Sequence, residues 1–198
     1  MSAIKIHLFK PDPVNQFGIW FEEVLNNKKP NSNAVALSTS SAGGRISSRM
    51  VLLKAYDRSG FVFFSNYESR KGEQMRTNPV ASLLFYWPEM GRQVRVEGKI
   101  KKTSARESDE YFESRTPGHQ LNAIISRQSK EIPDLESLVL ASEKIRIKQQ
   151  KIIRPKHWGG YRLVPDLFEF WQEGEDRFHD RIEYRLSGSK WIMRRLAP

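Results

Sequence analysis

The chain has 198 residues, of which 38% are hydrophobic and 28% charged, a composition typical of a globular domain with a sizeable core and not of a disordered segment. Its net charge of +10 favours an anionic partner, such as nucleic acid, an acidic membrane surface or a phosphorylated small molecule. The absence of cysteine excludes disulfides, thiolate nucleophiles and cysteine-ligated metal centres, so any redox chemistry requires an organic cofactor.

The first ten residues lack the apolar segment of a signal peptide, and no apolar run approaches the roughly 20 residues of a membrane span. We therefore expect a cytoplasmic protein. Asp12 and Pro13 follow in the order of an N-cap carboxylate and a first-turn proline, and apolar residues continue at helical spacing. This pattern predicts an N-terminal helix over residues 12–27.

The next segments alternate between apolar, β-branched runs and turns that contain glycine, which predicts antiparallel hairpins. The nearly all-apolar run 80–87 predicts a strand that is buried on both faces. The predicted strands are 34–39, 46–55, 61–65, 80–87 and 92–102, with a short helix over 69–77.

In the second half of the chain, helices precede a final group of strands. Ser104 and Glu107 have the spacing of a capping box. The predicted helices are 104–114, 117–127 and 134–153, and the predicted strands are 159–163, 167–172, 178–185 and 191–196. Strands dominate and the helices are peripheral, which favours one domain built on a small closed or half-closed antiparallel barrel.

Several kinds of site are not expected. The sequence has no P-loop, no dinucleotide fingerprint and no nucleophile elbow. Gly43–Gly44 and Gly159–Gly160 are interpreted as turn residues. The four histidines lack ligand spacing, so we expect no metal site.

Cationic residues occur instead beside predicted strand and helix ends. Arg70 and Lys71 stand at a helix N-terminus, where backbone N–H groups and cations can hold a phosphate together. Tyr111 and Arg115 are four residues apart and share a helix face. A polar pair, Gln128–Ser129, lies between two further cations. Together with Arg49 and Lys54, these residues suggest a protein that binds two separate phosphates.

The spacing of Arg49 and Lys54 leaves their relation open. They differ by five residues, so an ideal strand directs them to opposite faces. They would then serve different phosphates or different copies of a site, unless a bulge changes the parity.

Near the C-terminus, Arg177, His179 and Arg181 are spaced two residues apart. If this segment is a strand, the three side chains share one face, where they repel each other unless an anionic or electron-rich group lies against them. Trp171 could form a wall of such a site. The alternative is a solvated surface hairpin with a core tryptophan.

Ordered motifs from Asp12 to Pro198 closely resemble those of the pyridoxamine 5′-phosphate oxidases, which are FMN-dependent enzymes with a split-barrel fold. The motifs are R-M-V-L-L-K (49–54), F-F-S-N-Y-E-S-R-K (63–71), R-Q-V-R-V-E-G (92–98), Y-F-E-S-R (111–115), S-R-Q-S (126–129), W-G-G-Y-R (158–162), E-F-W-Q-E-G-E-D-R-F-H-D-R (169–181) and R-L-A-P (195–198).

The resemblance implies a mainly β, antiparallel, Greek-key-like split barrel with peripheral helices. It forms a single FMN-binding domain over residues 1–198, with a C-terminal signature and dimerisation region at about 157–198. It also implies a homodimer with the active site at the subunit interface. The implied reaction converts pyridoxamine or pyridoxine 5′-phosphate to pyridoxal 5′-phosphate, with O2 as acceptor and H2O2 as product.

The resemblance assigns roles by matching position. The FMN phosphate is held by Arg49, Arg70, Lys71 and Ser129. The rest of the cofactor contacts Met50, Val51, Leu52, Phe64, Ser65, Gln93, Gln128, Trp171 and Arg181. The substrate phosphate is bound by Lys54, Tyr111 and Arg115, with His119 at a position where the family commonly has serine. Arg177 and His179 face the pyridine ring and are the expected catalytic residues.

Two alternatives come from other considerations. Asn122 and Ile124, close to His119, also depart from the family pattern, so a related flavoprotein that oxidises another ring, such as a phenazine precursor, is a second hypothesis. A nucleic-acid-binding barrel is a third, based on the charge and the 11% aromatic content. Against it, the aromatic residues near 61–64 and 85–86 lie in apolar runs typical of a core.

Overall fold

The computed structural model describes residues 6–27, 30–147 and 152–198, and its centre is a mostly antiparallel sheet curled into a half-barrel. Within these residues the strand order is β2-β1-β5-β6-β7-β4-β3, and β8 pairs with both β7 and β9. The strands are β1 (Ala34–Ser40), β2 (Ile46–Leu52), β3 (Ala55–Asp57), β4 (Gly60–Asn66), β5 (Val80–Trp87), β6 (Arg92–Lys102), β7 (Trp158–Gln172), β8 (Asp180–Ser187) and β9 (Lys190–Leu196). The helices are α1 (Pro13–Asn26), α2 (Arg70–Thr77), α3 (Ala105–Glu113), α4 (Pro117–Ile125) and α5 (Glu136–Ile147).

Helix α1 closes the core against the inner face of the sheet. Asp12 caps it by accepting a hydrogen bond from the Val14 N–H at 2.9 Å, as predicted. The ring of Phe17 is fully buried, and it packs edge-on against Phe61 with 4.9 Å between ring centroids. Burial of one such side chain contributes roughly 2–3 kcal/mol, so the apolar stripe of α1 anchors the helix to the sheet.

The predicted strand 46–55 is divided, and the division shapes the site. Strand β2 ends at Leu52, where the chain changes partners: the N–H of Leu53 donates to Asn33 beside β1, and the N–H of Lys54 donates to Val62 in β4. The pairing with β1 therefore gives way to pairing with β4. Strand parity does not extend from Arg49 to Lys54.

Strand β5 is buried on one face, which corrects the prediction of two buried faces. Leu83 and Phe85 are fully buried, whereas Val80 is 45% and Tyr86 60% exposed. In this antiparallel sheet, one face of β5 packs on the core and the other is open in the single chain. Tyr86 is thus not a core residue, although Phe61, Phe63 and Phe85 are.

The two predicted strands 159–163 and 167–172 form one continuous strand, β7. Its pairing with β6 shifts register between Glu97 and Gly98, and this bulge accommodates Pro165. Gly159 and Gly160 lie within β7 and not in a turn, which corrects their interpretation. A Cβ at Gly159 would lie 2.1 Å from the Tyr67 hydroxyl oxygen, so close packing requires glycine there.

The remaining differences concern element ends. The predicted helix 134–153 begins two residues later than expected, at Glu136; residues 148–151 lie outside the described residues, and residues 152–153 are not helical. The predicted strand 178–185 begins only at Asp180. A short 3₁₀ turn precedes it, in which Asp176 and Arg177 have φ values of 47° and 64°. The strand alternation used for Arg177 is therefore wrong.

The described helices include none with the length and apolar character needed to cross a membrane.

Candidate functional site

A cavity of about 1020 Å³ lies among β2, β4, the start of α2, the helices α3 and α4, and the segment that follows α4. Most of the predicted site residues line it. These are Arg49, Met50, Val51, Leu52, Lys54, Phe64, Ser65, Arg70, Lys71, Tyr111, Arg115, His119, Gln128 and Ser129. Asn122 also lines the cavity, whereas Ile124 does not.

The cavity is strongly cationic, and the described residues that line it include no acidic side chain. Among the described residues, no carboxylate forms an ion pair with any of its five lysines and arginines, which are Arg49, Lys54, Arg70, Lys71 and Arg115. Arginines elsewhere, such as Arg162 and Arg181, do pair with carboxylates. Unpaired cations that converge on one cavity indicate a site for anions.

Lys71 is the most deeply buried of these cations, at 7% exposure. Ser69 caps α2 and accepts a hydrogen bond from Lys71 Nζ at 3.1 Å, and the Gln128 side-chain oxygen accepts another at 2.6 Å. Burial, followed by repulsion from Arg49, lowers the pKa of Lys71 to about 8. A buried ammonium without a counter-ion is costly, so this position favours an anionic ligand.

Arg49 lies beside Lys71 and is held by neutral acceptors. Its Nη1 donates to the Leu37 carbonyl at 3.1 Å and to Thr39 Oγ1 at 2.7 Å, and its Nη2 donates to Ser47 Oγ at 2.6 Å. Burial, and then repulsion from Arg70, lowers the pKa of Arg49. The guanidinium retains N–H groups without a protein partner among the described residues, and these are available to a ligand.

A second cationic cluster is built around aromatic rings. Phe64 and Tyr111 stack with 3.9 Å between centroids, and Trp158 stacks on Phe64 at 5.6 Å. The Arg115 guanidinium lies 4.6 Å from the Trp158 ring centroid, and Lys54 Nζ lies 5.6 Å from that of Tyr111. Trp158 was not among the predicted site residues, although it begins the W-G-G-Y-R motif that supported the resemblance.

Arg115 has an unsatisfied polar atom in this cluster. Of the buried side-chain nitrogen and oxygen atoms in the described residues, Arg115 Nη1 is the one without a hydrogen-bond partner. Burial also lowers the pKa of this arginine. Because buried polar groups are nearly always paired, this atom points to a ligand acceptor.

The open question about Arg49 and Lys54 has a structural answer. Both side chains line the same cavity of one chain, because the change of partners after Leu52 removes the parity that would separate them. Within the cavity they belong to different clusters: Arg49 is beside Lys71, and Lys54 is beside Tyr111. One chain thus supplies both cationic clusters.

The other predicted residues do not line this cavity; they are Gln93, Trp171, Arg177, His179 and Arg181. Gln93 pairs in register with Trp171, which pairs with Arg181, so the three form a row across β6, β7 and β8. Trp158, at the cavity, and Trp171 lie at opposite ends of β7, about 40 Å apart along the strand at about 3.3 Å per residue. Within one chain, these five residues therefore do not come together with the residues that line the cavity.

We call these five residues the second group; they are distinct from the second cationic cluster, and the second group is internally ordered. The His179 ring lies 4.8 Å from the Trp171 ring centroid, and its Nδ1 accepts a hydrogen bond from the Gly174 N–H at 3.2 Å. The neutral imidazole therefore carries its proton on Nε2. Arg181 donates to Glu169 through Nε at 2.9 Å and through Nη2 at 3.1 Å. Arg177 is exposed on the preceding turn.

Comparison with known sequences gives concordant matches. The profile described as "Pyridoxamine 5′-phosphate oxidase" matches residues 21–149, and that described as "Pyridoxine 5′-phosphate oxidase C-terminal dimerisation region" matches residues 158–198. The pyridoxine/pyridoxamine 5′-phosphate oxidase of Legionella pneumophila (strain Lens) is 48% identical over 189 residues, covering 94% of this chain and 88% of the relative. The enzyme of the same name from Burkholderia cenocepacia (strain HI2424) is 50% identical over 193 residues, covering 95% of this chain and 90% of the relative.

Two solved structures confirm the predicted fold. PhzG from Burkholderia lata 383, in complex with tetrahydrophenazine-1-carboxylic acid, has a TM-score of 0.93 at 30% identity and covers 100% of this chain and 98% of its own. A pyridoxamine 5′-phosphate oxidase-related, FMN-binding protein from Nostoc punctiforme has a TM-score of 0.74 at 14% identity, covering 90% and 95%, and shows the fold alone. With family profiles and close relatives that span nearly its whole length, the chain belongs to the pyridoxamine 5′-phosphate oxidase family.

Proposed function

We propose that this protein binds FMN and oxidises pyridoxamine 5′-phosphate or pyridoxine 5′-phosphate to pyridoxal 5′-phosphate, with O2 as acceptor and H2O2 as product. The observation that carries the proposal is one cavity with two cationic clusters, in which the described lining residues include no carboxylate. A phosphorylated flavin and a phosphorylated substrate together supply two phosphate dianions. The names of the relatives point to the same substrates.

The first cluster fits the FMN phosphate. Lys71, Arg70 and Arg49 supply charge at the N-terminus of α2, and Ser129 follows Gln128, which Lys71 contacts. The buried ammonium of Lys71 has hydrogen bonds to neutral acceptors but no carboxylate partner among the described residues, and such a phosphate would supply the missing counter-ion. When bound, FMN supplies the chemistry of accepting a hydride from the substrate carbon and of passing the electrons to O2.

The second cluster fits the substrate phosphate. Arg115 has an unsatisfied Nη1, and Lys54, the Tyr111 hydroxyl and His119 line the same cavity. Arginine can donate two parallel hydrogen bonds to a phosphate, while lysine contributes a compact charge. These residues bind and orient the substrate so that its amine- or alcohol-bearing carbon is presented for oxidation.

The residues of the second group would come from the other subunit of a homodimer. Gln93, Trp171 and Arg181 would contact the flavin, and Arg177 and His179 the pyridine ring. Two observations support this arrangement: β7 keeps the two groups apart in one chain, and residues 158–198 match a dimerisation region. In the tautomer set by Gly174, His179 presents Nε2–H as a donor to the substrate.

An anaerobic spectrum tests this function. The protein is reconstituted with FMN and mixed without O2 with pyridoxamine 5′-phosphate, and unphosphorylated pyridoxamine serves as the matched control. We expect the phosphate ester to bleach the flavin band rapidly and the control to do so far more slowly. Failure to bind FMN would refute the cofactor assignment, and a flavin that stays oxidised with both phosphorylated vitamers would refute the substrate.

A second candidate is oxidation of a different ring, such as a phenazine precursor. The structural similarity to PhzG favours it. The ligand of that structure is a carboxylic acid and brings no phosphate, whereas this cavity offers two groups of cations. Bleaching by a reduced phenazine carboxylic acid, without bleaching by either B6 phosphate, would favour this candidate over the first.

A further inference from the structure

Gln74 lies on α2, one turn after Arg70, and does not line the cavity. It is 7% exposed and joins the helix to β1 and to the start of β2. Its side-chain oxygen accepts hydrogen bonds from Thr39 Oγ1 at 2.6 Å and from Ser47 Oγ at 2.8 Å. Its nitrogen donates to the Arg45 carbonyl at 3.3 Å, which fixes the orientation of the amide.

The two hydroxyls that donate to Gln74 are the same two that hold Arg49. Thr39 Oγ1 accepts from Arg49 Nη1, and Ser47 Oγ accepts from Arg49 Nη2. A hydroxyl has one proton to donate, and both protons are used by the Gln74 oxygen. The lone pairs of Thr39 and Ser47 are consequently directed to the guanidinium.

Water is poorly placed to replace this amide, because Thr39 is only 2% exposed. Without the Gln74 oxygen, the Thr39 proton loses its acceptor, and rotation of the hydroxyl in search of another removes a lone pair from Arg49. The guanidinium would then keep the Leu37 carbonyl as an acceptor but lose the hydroxyl acceptors that fix its plane.

We propose that Gln74 is a positioning residue, which acts through the Thr39 and Ser47 hydroxyls to hold Arg49 in the geometry that binds phosphate. The proposal deepens the proposed function, since the FMN phosphate is the anion assigned to Arg49. It predicts that a residue outside the cavity controls cofactor affinity through one arginine.

The test is a titration of FMN fluorescence with the apoprotein of Gln74→Met, which keeps the length of the side chain and removes its hydrogen bonds. We expect the Kd for FMN to rise about tenfold, equivalent to about 1.4 kcal/mol. In an Arg49→Met background, the same substitution should change Kd less than twofold, because its effect passes through Arg49. An undiminished effect in that background would overturn the proposal, as would an unchanged Kd in the single variant.

Asn78→Leu is the matched control. Asn78 also joins α2 to β1, through a 2.7 Å hydrogen bond to Ser40 Oγ, but it has no contact with Arg49. We expect it to lower Tm while changing Kd less than twofold. If it weakens FMN binding as much as Gln74→Met, then simple tethering of the helix explains both, and the positioning role is wrong.

Two further measurements keep the test decisive. If Gln74→Met does not fold, Thr39→Val should weaken binding while Thr39→Ser, which keeps the hydroxyl, should not; equal affinities for these two variants would refute the proposal. If the wild-type chain binds no FMN, the proposed function fails. The same variants are then compared with inorganic phosphate as the probe, by its effect on Tm, and an equal phosphate effect in Gln74→Met and the wild type would refute the positioning role.

Discussion

Replacing Lys71 with methionine should stabilise the apoprotein and weaken FMN binding. Lys71 is 7% exposed, and its pKa falls from 10.5 to about 8, which corresponds to a cost of roughly 3 kcal/mol for keeping the ammonium charged at pH 7. Methionine keeps most of the aliphatic stem and removes the charge. It also removes the hydrogen bonds to Ser69 and Gln128, a loss of about 1–2 kcal/mol. We therefore expect a net gain of about 1–2 kcal/mol in the free energy of unfolding at pH 7.

The sign of the pH dependence provides a sharper test. Because the folded-state pKa of Lys71 lies below its unfolded value, the unfolded chain binds more protons between about pH 8 and 10.5. The cost is fully present below about pH 8 and disappears as the pH rises through this window. The advantage of Lys71→Met should consequently be largest at pH 7 and reversed by about pH 10.5, where most of the charge cost has disappeared and the loss of about 1–2 kcal/mol of hydrogen bonding remains.

The assay is urea unfolding of the two apoproteins at pH 7 and pH 10, at equal protomer concentration because an oligomer's stability depends on concentration. Lys156→Met, at an exposed position, removes the same formal charge and should change stability by less than about 0.5 kcal/mol at either pH. The reasoning would be refuted if Lys71→Met were less stable than the wild type at pH 7. It would also be refuted if the variant exceeded the wild type in free energy of unfolding by the same amount at both pH values. Unchanged FMN affinity in this variant would show that Lys71 does not bind the FMN phosphate.

Four further predictions concern the two cationic clusters and the second group. Arg115→Met should raise the KM for pyridoxamine 5′-phosphate by about 10- to 100-fold while leaving the FMN Kd within about twofold, because we assign its unsatisfied Nη1 to the substrate phosphate. Trp158→Leu should lower the free energy of unfolding by about 2–4 kcal/mol in urea, since it removes the ring that packs on Phe64. Arg177→Ala should impair turnover far more than flavin retention. Mixing Arg115→Ala and Arg177→Ala subunits should restore activity at substrate concentrations far below the raised KM, because each heterodimer has one site with both residues intact. No recovery after verified subunit exchange would contradict the shared site.

Local signals in the sequence were sufficient for much of the fold. The cap at Asp12 and the capping box of Ser104 and Glu107 both form, because each depends on residues only a few positions apart. The division of 46–55 and the continuity of β7 were not predictable in this way. They depend on which strand a backbone N–H finds as a partner, as at Leu53 and Lys54, and no local pattern specifies that choice.

The candidate site was likewise predictable only where local sequence patterns determine the structure. Spacing identified the cations at Arg70 and Lys71, since a helix N-terminus can be read from the sequence. It gave no reason to select Gln74 or Trp158, because their roles come from contacts with residues that are distant in sequence. The spacing of Arg177, His179 and Arg181 wrongly predicted a strand through Arg177, where two successive residues have positive φ values.

The two groups of site residues differ in how their charges are balanced. Arg181 is held by Glu169, which is 4% exposed and also accepts from Arg95 Nη2 at 2.5 Å. Burial raises the pKa of Glu169, but the hydrogen bonds from Arg181 and Arg95 outweigh it, and the net pKa is lowered. Within the second group, Arg181 is therefore neutralised and held in place before any ligand binds. The cavity around Lys71 has no such carboxylate, so its repulsion is relieved only by an anion. It follows that FMN should stabilise this protein mainly through the cavity, while the charged network around Glu169 remains the same in apoprotein and holoprotein.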